Sequence, residues 1–270
     1  MVGSFVQTNL ISPDLPNGAR DLISAILFDY GGTLVAPRRP FDKEKPSAMR
    51  SAYAVLNRNR PTLTYEEYLE RNNAVFKKFS ALEKEERKDF SDLIKYQEIV
   101  DGLFPARSEA WRRSIARRAD DAFWAVVARN YPIRKSARRT LTKLRSMDIR
   151  LAIVSNHHNH EALVKHIRDL GIASSFSCII SSVKSGVRKP DIRIFEGCLS
   201  SLKVERAYEA VFVGDSIEND VAGAQSAGMR TILIVDDATS HDRLEKGKTR
   251  AKPDFTIRDL AEIPGIISSL

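Results

Sequence analysis

The fold is decided by residues 25–35, AILFDYGGTLV. Four apolar residues that favour β-strands end at Asp29, and two glycines and a threonine follow. In a parallel α/β protein, ligands bind at the carboxyl ends of buried strands, so an acid at this point is more often chemical than structural. Asp29 is therefore the candidate nucleophile of the chain.

Beyond residue 131, helical and strand patterns alternate as in a doubly wound α/β fold. The predicted strands are RLAIVSN, SCIIS, AVFVGD, TILIVDD and a short edge strand in DFTI. Helical patterns separate them: SARRTLTKLRSM, HEALVKHIRDLG, a helix from about Asp191 to Leu202, one that ends near Gly228, and a closing helix in DLAEIPGII. The sequence thus predicts an α/β, Rossmann-like core with a doubly wound parallel sheet.

Residues 46–130 carry apolar side chains at helical spacing in four segments and show no strand pattern. Thr64 and Ser108 are placed as N-caps of the second and fourth helices. The stretch APRRPFDKEKP, residues 36–46, is interpreted as a linker because of its prolines. We predict a lead-in over residues 1–21, a discontinuous core over 22–37 and 131–270, and an inserted all-helical domain over 38–130.

The composition restricts the class of protein. The 270 residues are 43% hydrophobic and include two cysteines, Cys178 and Cys198, without the spacing of a zinc site or disulfide framework. There is no signal-peptide pattern and no run of about 18 apolar residues, so we expect a cytoplasmic protein without a membrane partner. The formal charge of +8 favours anionic ligands, either phosphorylated small molecules or nucleic acid.

Further polar residues stand at the ends of predicted strands. Ser155 and Asn156 end RLAIVSN, Asp215 ends AVFVGD with Asp220 five residues later, and Lys189 lies in the loop SGVRKPD. Each could be a helix cap or a solvated side chain if it stood alone. Because the carboxyl ends of parallel strands share one edge of the sheet, we expect all of them to meet Asp29 there.

With these segments in this order, the chain resembles the haloacid dehalogenase superfamily of hydrolases, in its phosphatase-like branch with a helical cap. The first family motif corresponds to FDYGGTL with Asp29 as nucleophile, and the second to VSN with Ser155. The third corresponds to Lys189 followed by Pro190, and the fourth to GDSIENDVAGA. The resemblance implies that residues 38–130 are the cap, inserted between the first and second motifs.

The resemblance also implies a Mg²⁺ cofactor and a small phosphorylated substrate. Magnesium takes oxygen ligands and neutralises a phosphoryl group under attack. The implied ligand set is Asp29, the backbone carbonyl of Gly31, Asp215 and Asp220, the last being alternatively a cap of the following helix. Lys189 is expected to offset the charge of Asp29 and the phosphoryl group, which would receive hydrogen bonds from the remaining site residues: Gly32, Thr33, Ser155 and Asn156.

Gly31 departs from the pattern of the family's phosphatases. At this position they carry the acid that protonates the leaving group and later activates water. General acid or base help of this kind is worth roughly 10² to 10⁴ in rate. Since a backbone carbonyl remains, we expect the metal site to survive and the loss to fall on proton transfer.

Three alternatives stay open beside a phosphatase. Dehalogenation, for which the family places a tyrosine at the position of Gly31 and uses no metal, is disfavoured because Tyr30 lies one position early and GDSIEND is acidic. Cleavage of phosphonates needs a cap lysine that forms a Schiff base, and the cap offers several, among them Lys43, Lys45, Lys77 and Lys78. The third alternative is a fold retained for binding alone.

Nucleic acid is a weaker candidate partner. A set of basic residues could contact a polyanion such as RNA: Arg112, Arg113, Arg117, Arg118, Arg138, Arg139, Lys143 and Arg145. No aromatic residues are interleaved with them, so a solvated helix face with salt bridges to Asp120 and Asp121 is the favoured interpretation.

Three histidines follow the second motif. His157, His158 and His160 could bind a metal, or one of them could replace the missing acid. The favoured interpretation places all three in the first turn of a helix at the rim of the site.

Overall fold

The computed structural model describes residues 23–86, 88–235 and 251–270; the predicted lead-in, residues 1–21, lies outside them. The described residues form one six-stranded parallel sheet in the order β3-β2-β1-β4-β5-β6. The strands are β1 (Ala25–Phe28), β2 (Arg150–Ser155), β3 (Cys178–Ser181), β4 (Ala210–Gly214), β5 (Arg230–Ile234) and β6 (Phe255–Ile257). The predicted strands, including the short edge strand, are confirmed.

Strand β1 lies at the centre of this sheet, between β2 and β4. Phe28 pairs with Ile153 on one side and with Val213 on the other. Asp29 therefore follows β1 at the level of Val154 and Gly214, which immediately precede Ser155 and Asp215. This register brings Asp29, Ser155 and Asp215 to one edge.

Both faces of the sheet are covered, as in a doubly wound fold. Ile26 and Phe28 belong to one buried apolar cluster, and Ala25 and Leu27 to another on the opposite face. The covering helices are α5 (Ala137–Arg145), α6 (His160–Asp169), α7 (Ser182–Ser185), α8 (Ile192–Ser201), α9 (Gly223–Ser226) and α10 (Ile263–Ser269). The predicted α/β fold class is confirmed.

The inserted segment consists of four helices with an apolar cluster of their own. They are α1 (Phe41–Asn57), α2 (Tyr65–Glu86), α3 (Asp92–Leu103) and α4 (Glu109–Asn130). Thr64 accepts a hydrogen bond from the Glu67 amide and Ser108 one from the Trp111 amide, so both predicted N-caps are confirmed. Long apolar side chains such as Tyr68 and Tyr96 are almost fully buried within this bundle.

The linker interpretation of residues 36–46 is wrong for its second half. Helix α1 begins at Phe41 and contains Pro46. A proline in a helix removes one backbone hydrogen bond, which made the stretch read as a break. Asp42 and Glu44 in the first turn oppose that cost because carboxylates interact favourably with the amino end of a helix. Phe41 thereby enters the helix and reaches the site described below.

Two expectations about the chain's surroundings can be compared with the structure. Cys178 is half-buried and Cys198 is buried, and both are free thiols. Across the described ranges, no helix combines the length and the apolar character that a membrane crossing requires.

Candidate active site

A cavity of about 310 Å³ opens where the carboxyl edge of the sheet faces the helical insert. The sheet side contributes polar residues: Asp29, Ser155, Asn156, Lys189, Asp215 and Asp220. The insert side contributes mostly apolar residues: Phe41, Trp124, Val127, Ala128 and, just beyond α4, Tyr131. The structure thus brings together the strand-end residues that the sequence predicted to converge.

Lys189 lies at the centre of the polar side. Its Nζ donates to Asp29 Oδ1 and to Asp220 Oδ1, both at 2.7 Å, and the lysine side chain is only 2% exposed. The Asn156 amide holds the Lys189 backbone from both sides, since it donates to the carbonyl at 3.0 Å and accepts from the N–H at 2.8 Å. Asn156, predicted to bind phosphate, therefore uses its side chain to position Lys189.

Asp220 is fixed by three hydrogen-bond donors around its carboxylate. Oδ1 accepts from Lys189, and Oδ2 accepts from the backbone N–H groups of Asp215, at 3.1 Å, and Ser216, at 2.9 Å. The side chain of Ser216, not that of Asp220, caps the π-helical turn Ile217–Ala222 by accepting from the Asn219 amide. Asp220 thus holds both Lys189 and the loop that carries Asp215.

The acidic residues meet the requirements of a magnesium site. Carboxylate oxygens of Asp29, Asp215 and Asp220 lie within 4.8 Å of one another, and hard oxygen donors are the ligands Mg²⁺ prefers. Gly32 allows this approach, because a Cβ on it would come within 2.3 Å of Asp215 Oδ2. Its φ of +91° is also a conformation that favours glycine. The donor set present therefore fits the implied ion.

Burial controls the charge of the polar side. It raises the pKa of Asp29 to about 7, against the opposing effect of Lys189 and with the help of Asp220 and Asp215. Burial alone would lower the pKa of Lys189, but Asp220 and Asp29 raise it above its ordinary value. The lysine is therefore charged, whereas Asp29 needs additional positive charge to stay fully ionised at neutral pH.

The glycine turn differs in part from the prediction. The N–H of Gly32 donates to the Val35 carbonyl at 2.7 Å, so it is not available to a phosphoryl group. Thr33 is fully buried, and its hydroxyl has no partner within the described ranges. Gly31 lines the cavity, and a Cβ on it would have no heavy atom within 4 Å. The position that lacks the acid is thus open space in the cavity.

The placement of the histidines in a helical first turn is wrong for His157 and His158. Asn159 is the N-cap of α6, so the helix begins at His160. The ring of His157 stacks against Trp124, with centroids 4.4 Å apart, and its Nδ1 accepts from the Asn159 N–H. Burial lowers the pKa of His157 to about 3. A neutral ring can donate a hydrogen bond from Nε2 but holds no spare proton at neutral pH.

Sequence reasoning missed the role of Asp120. Predicted as a partner of solvated arginines, it is 1% exposed and accepts from Asn159 Nδ2 at 2.7 Å, across the contact between α4 and α6. Burial raises its pKa to about 8. Its position between Ala116 and Phe123 at helical spacing was the available signal, since that spacing places it on the apolar face.

A second acidic group, predicted by no motif, joins the insert to the sheet. Asp89, whose side chain is fully buried, pairs with Arg188 at 2.9 Å and accepts from the Ser182 hydroxyl. Nearby, Glu83 pairs with Lys95 at 2.8 Å. His158 joins them, since ligand atoms of Glu83, Asp89 and His158 lie within 4.8 Å of one another. Both carboxylates already have cationic partners, so the group links the two parts of the chain.

The lysine required for phosphonate cleavage is not in place. Among the described residues that line the cavity, Lys189 is the only lysine, and it lies on the sheet side. Lys77 and Lys78 are exposed on α2, and Lys78 pairs with Glu98. The part of the cavity that the structure describes thus presents no lysine from the helical insert.

The carboxyl edge of a doubly wound parallel sheet thus presents three acids and a lysine to a helical insert. The family model of haloacid dehalogenase-like hydrolases matches residues 23–228. The chain belongs to this family, and the resemblance seen in its motifs is confirmed.

Curated relatives within the family include phosphatases. The chain is 29% identical over 150 residues to ribulose-1,5-bisphosphate 5-phosphatase of Halopiger xanaduensis, covering 55% of this chain and 62% of the relative. It is 33% identical over 152 residues to phosphoserine phosphatase of Thermus thermophilus, covering 55% and 56%. It is 39% identical over 106 residues to glyceraldehyde 3-phosphate phosphatase of Methanothermobacter thermautotrophicus, covering 38% and 45%. The matches thus span about half the length of these relatives.

Solved structures share the fold. A 2-haloacid dehalogenase from Pseudomonas syringae superposes with a TM-score of 0.69 at 21% identity, over 92% of this chain and 99% of that one. The magnesium-bound HAD-hydrolase YfnB of Bacillus subtilis gives a TM-score of 0.54 at 20% identity, over 91% and 99%. At these identities the likeness describes the fold, helical insert included, and not the reaction.

Proposed function

We propose that the protein is a magnesium-dependent phosphatase of small phosphorylated molecules that works through an aspartyl-phosphate on Asp29. The observation that carries this proposal is the contact of Lys189 with Asp29 and Asp220 beside Asp215, at the carboxyl edge of the sheet. The phosphatases among its relatives support the reaction class. Magnesium, when bound, would supply positive charge to Asp29 and to the phosphoryl oxygens.

The residues divide the reaction between them. A carboxylate oxygen of Asp29 attacks phosphorus, the bond from phosphorus to the ester oxygen breaks, and the leaving group departs with the electron pair. Lys189 stabilises the negative charge that gathers on the phosphoryl group, and Ser155, which lines the cavity, is placed to donate a hydrogen bond to it. Water then cleaves the acyl phosphate, which releases phosphate and restores Asp29.

In this proposal Asp220 positions Lys189 and the loop that carries Asp215. Both of its oxygens accept hydrogen bonds from Lys189 and the loop amides. We therefore infer that Asp29 and Asp215 contact the ion directly, with the Gly31 carbonyl as the implied third protein ligand. In this assignment Asp220 holds Lys189 in place and adds negative charge next to the ion.

The proposed domain division follows the apolar clusters. The four helices within residues 38–130 share one cluster, and the sheet with its helices shares two others. We further propose a cytoplasmic location, which the free thiols of Cys178 and Cys198 favour.

The test is phosphate release from acetyl phosphate and 4-nitrophenyl phosphate with magnesium. We expect turnover that chelation by EDTA stops, and a phosphorylated Asp29 that mass spectrometry detects after acid quenching. Asp29→Asn should abolish both, whereas Asp121→Asn, an equal change at an exposed position of α4, should alter neither. Full activity of Asp29→Asn, or activity indifferent to EDTA, would refute the proposal.

A further inference from the structure

The side of the cavity that the helical insert contributes is mostly apolar. Trp124 and Val127 from α4, Phe41 from α1 and Tyr131 form this wall. The indole of Trp124 packs against the ring of His157, with the ring planes tilted by 35°. Phe41 is 41% exposed although it is a large apolar side chain, and it lies at the cavity. Exposed aromatic surface at a cavity indicates a ligand that covers it.

The cavity holds little positive charge for a second anion. Among the described lining residues Lys189 is the only lysine or arginine, and its Nζ is already shared by Asp29 and Asp220. The two lining histidines, His157 and His166, are partly buried, and loss of hydration lowers their pKa values. A carboxylate or second phosphate on the leaving group would lose its hydration here without gaining a partner, which is costly.

Gly31 adds a chemical restriction that is independent of the lining. Without an acid at this position, the leaving group must depart unprotonated or nearly so. A phenol, with a pKa of about 10 like the tyrosine side chain, tolerates this far better than an alkyl alcohol, whose pKa lies close to the roughly 15.7 of water. The same glycine leaves open space beside Asp29.

Together these observations define a substrate class. We propose that the site hydrolyses phosphate monoesters of uncharged aromatic alcohols, with the ring of the leaving phenol against Trp124 and Phe41. This inference rests on the proposed phosphatase function and deepens it. A cavity of about 310 Å³ lies at the small end of the range for ligand sites and suits one ring with its phosphate.

The test compares three esters whose leaving groups differ in charge, aromatic character and pKa. Phenyl phosphate is the reference. 4-Carboxyphenyl phosphate adds an anion and has a better leaving group. Cyclohexyl phosphate has a ring of similar size but a poorer leaving group. We expect kcat/KM for the carboxylated ester to be at least about tenfold lower than for phenyl phosphate, despite its leaving group, and for cyclohexyl phosphate about 100-fold lower. A carboxylated or cyclohexyl ester turned over as fast as phenyl phosphate would overturn the inference.

A charge added to the wall gives a matched pair of variants. Ala128 lines the cavity on α4, and Ala125 is exposed on the same helix. Ala128→Lys should narrow the preference for phenyl over 4-carboxyphenyl phosphate at least about tenfold, whereas Ala125→Lys should leave it as in the parent. If both variants keep the parental preference, the α4 wall does not contact the leaving group and the inference fails.

Binding separates this inference from the phosphatase proposal. Calorimetry with benzylphosphonate and 4-carboxybenzylphosphonate, which cannot release an alcohol, measures recognition without turnover. If benzylphosphonate binds more tightly than its carboxylated analogue and no ester is hydrolysed, the phosphatase proposal is refuted and the ligand class is retained. Hydrolysis of anionic alkyl phosphates in preference to phenyl phosphate would retain the phosphatase and refute the ligand class.

Discussion

The substitution Gly31→Asp places a carboxyl group where the structure has open space. A Cβ at this position meets no heavy atom within 4 Å, and Gly31 is not among the glycines with positive φ. The new side chain therefore needs no rearrangement of the turn. Asp29, Asp215 and Asp220 lie nearby, and their charges raise the pKa of an added carboxyl, which favours the protonated form that a general acid needs.

The magnitude follows from the leaving group. General acid help contributes roughly 10² to 10⁴ in rate, or about 2.7 to 5.4 kcal/mol of barrier at 1.36 kcal/mol per tenfold. An alkyl ester needs all of it, because its alkoxide is a poor leaving group. A phenyl ester needs little, because a phenolate departs without a proton. We expect kcat for cyclohexyl phosphate to rise at least about 100-fold in Gly31→Asp, and kcat for phenyl phosphate to change less than about tenfold.

Steady-state phosphate release with saturating magnesium measures both values. Gly31→Asn is the matched control, since it has nearly the same volume and no titratable proton, and it should give no gain. An equal gain in the Asn and Asp variants would assign the effect to packing. A folded, magnesium-binding Gly31→Asp variant that hydrolyses cyclohexyl phosphate no faster than the parent would show that another residue already supplies the proton.

Two other substitutions test the electrostatics and the geometry. Gly32→Ala should weaken magnesium binding at least about tenfold, because the added Cβ would lie 2.3 Å from Asp215 Oδ2 and displace that carboxylate. Calorimetry measures the affinity. An unchanged affinity would mean that magnesium binding does not need Asp215 this close to residue 32. The pKa of the Asp120 carboxyl is about 8 in the folded protein and 3.8 in the unfolded chain. Between these two values the folded protein binds one proton more than the unfolded chain. The free energy of unfolding therefore falls as pH rises from about 4 to about 8, by at most about 1.4 kcal/mol per pH unit. Asp120→Asn keeps an acceptor for the Asn159 amide and should remove this dependence on pH. The free energy of unfolding is measured with urea from pH 5 to 8. If it changes with pH equally in parent and variant, the assignment to Asp120 is wrong.

The sheet could be predicted from sequence because its signal is local. Buried parallel strands appear in the sequence as short apolar runs. An acid directly follows β1 and β4, and β2 ends at Ser155. Convergence of Asp29, Ser155 and Asp215 then follows from parallel pairing alone. The sheet and its polar edge could be predicted because each strand and the residue after it are adjacent in sequence.

The failures concern contacts between distant parts of the chain. Trp124 and His157 stack across the contact between insert and sheet, and Asp120 faces Asn159 across the same contact. Nothing near His157 in sequence shows that it will pack against Trp124. A pair of Asp residues in a helix rich in arginine is usually solvated. The predicted start of helix α1 was too late for a different reason. Pro46 disfavours a helix locally, but the packing of the helical bundle outweighs that local cost.

The two glycines of the turn carry different kinds of information. Gly32 is required by the backbone, because its φ is positive and a side chain would collide with Asp215. Gly31 has neither constraint, so the fold itself would accept a side chain there. A glycine that the backbone does not need, at the edge of a cavity, influences what enters the cavity. Under the proposed function we therefore expect its effect on the leaving group, which finds no proton donor at this position and has open space beside Asp29.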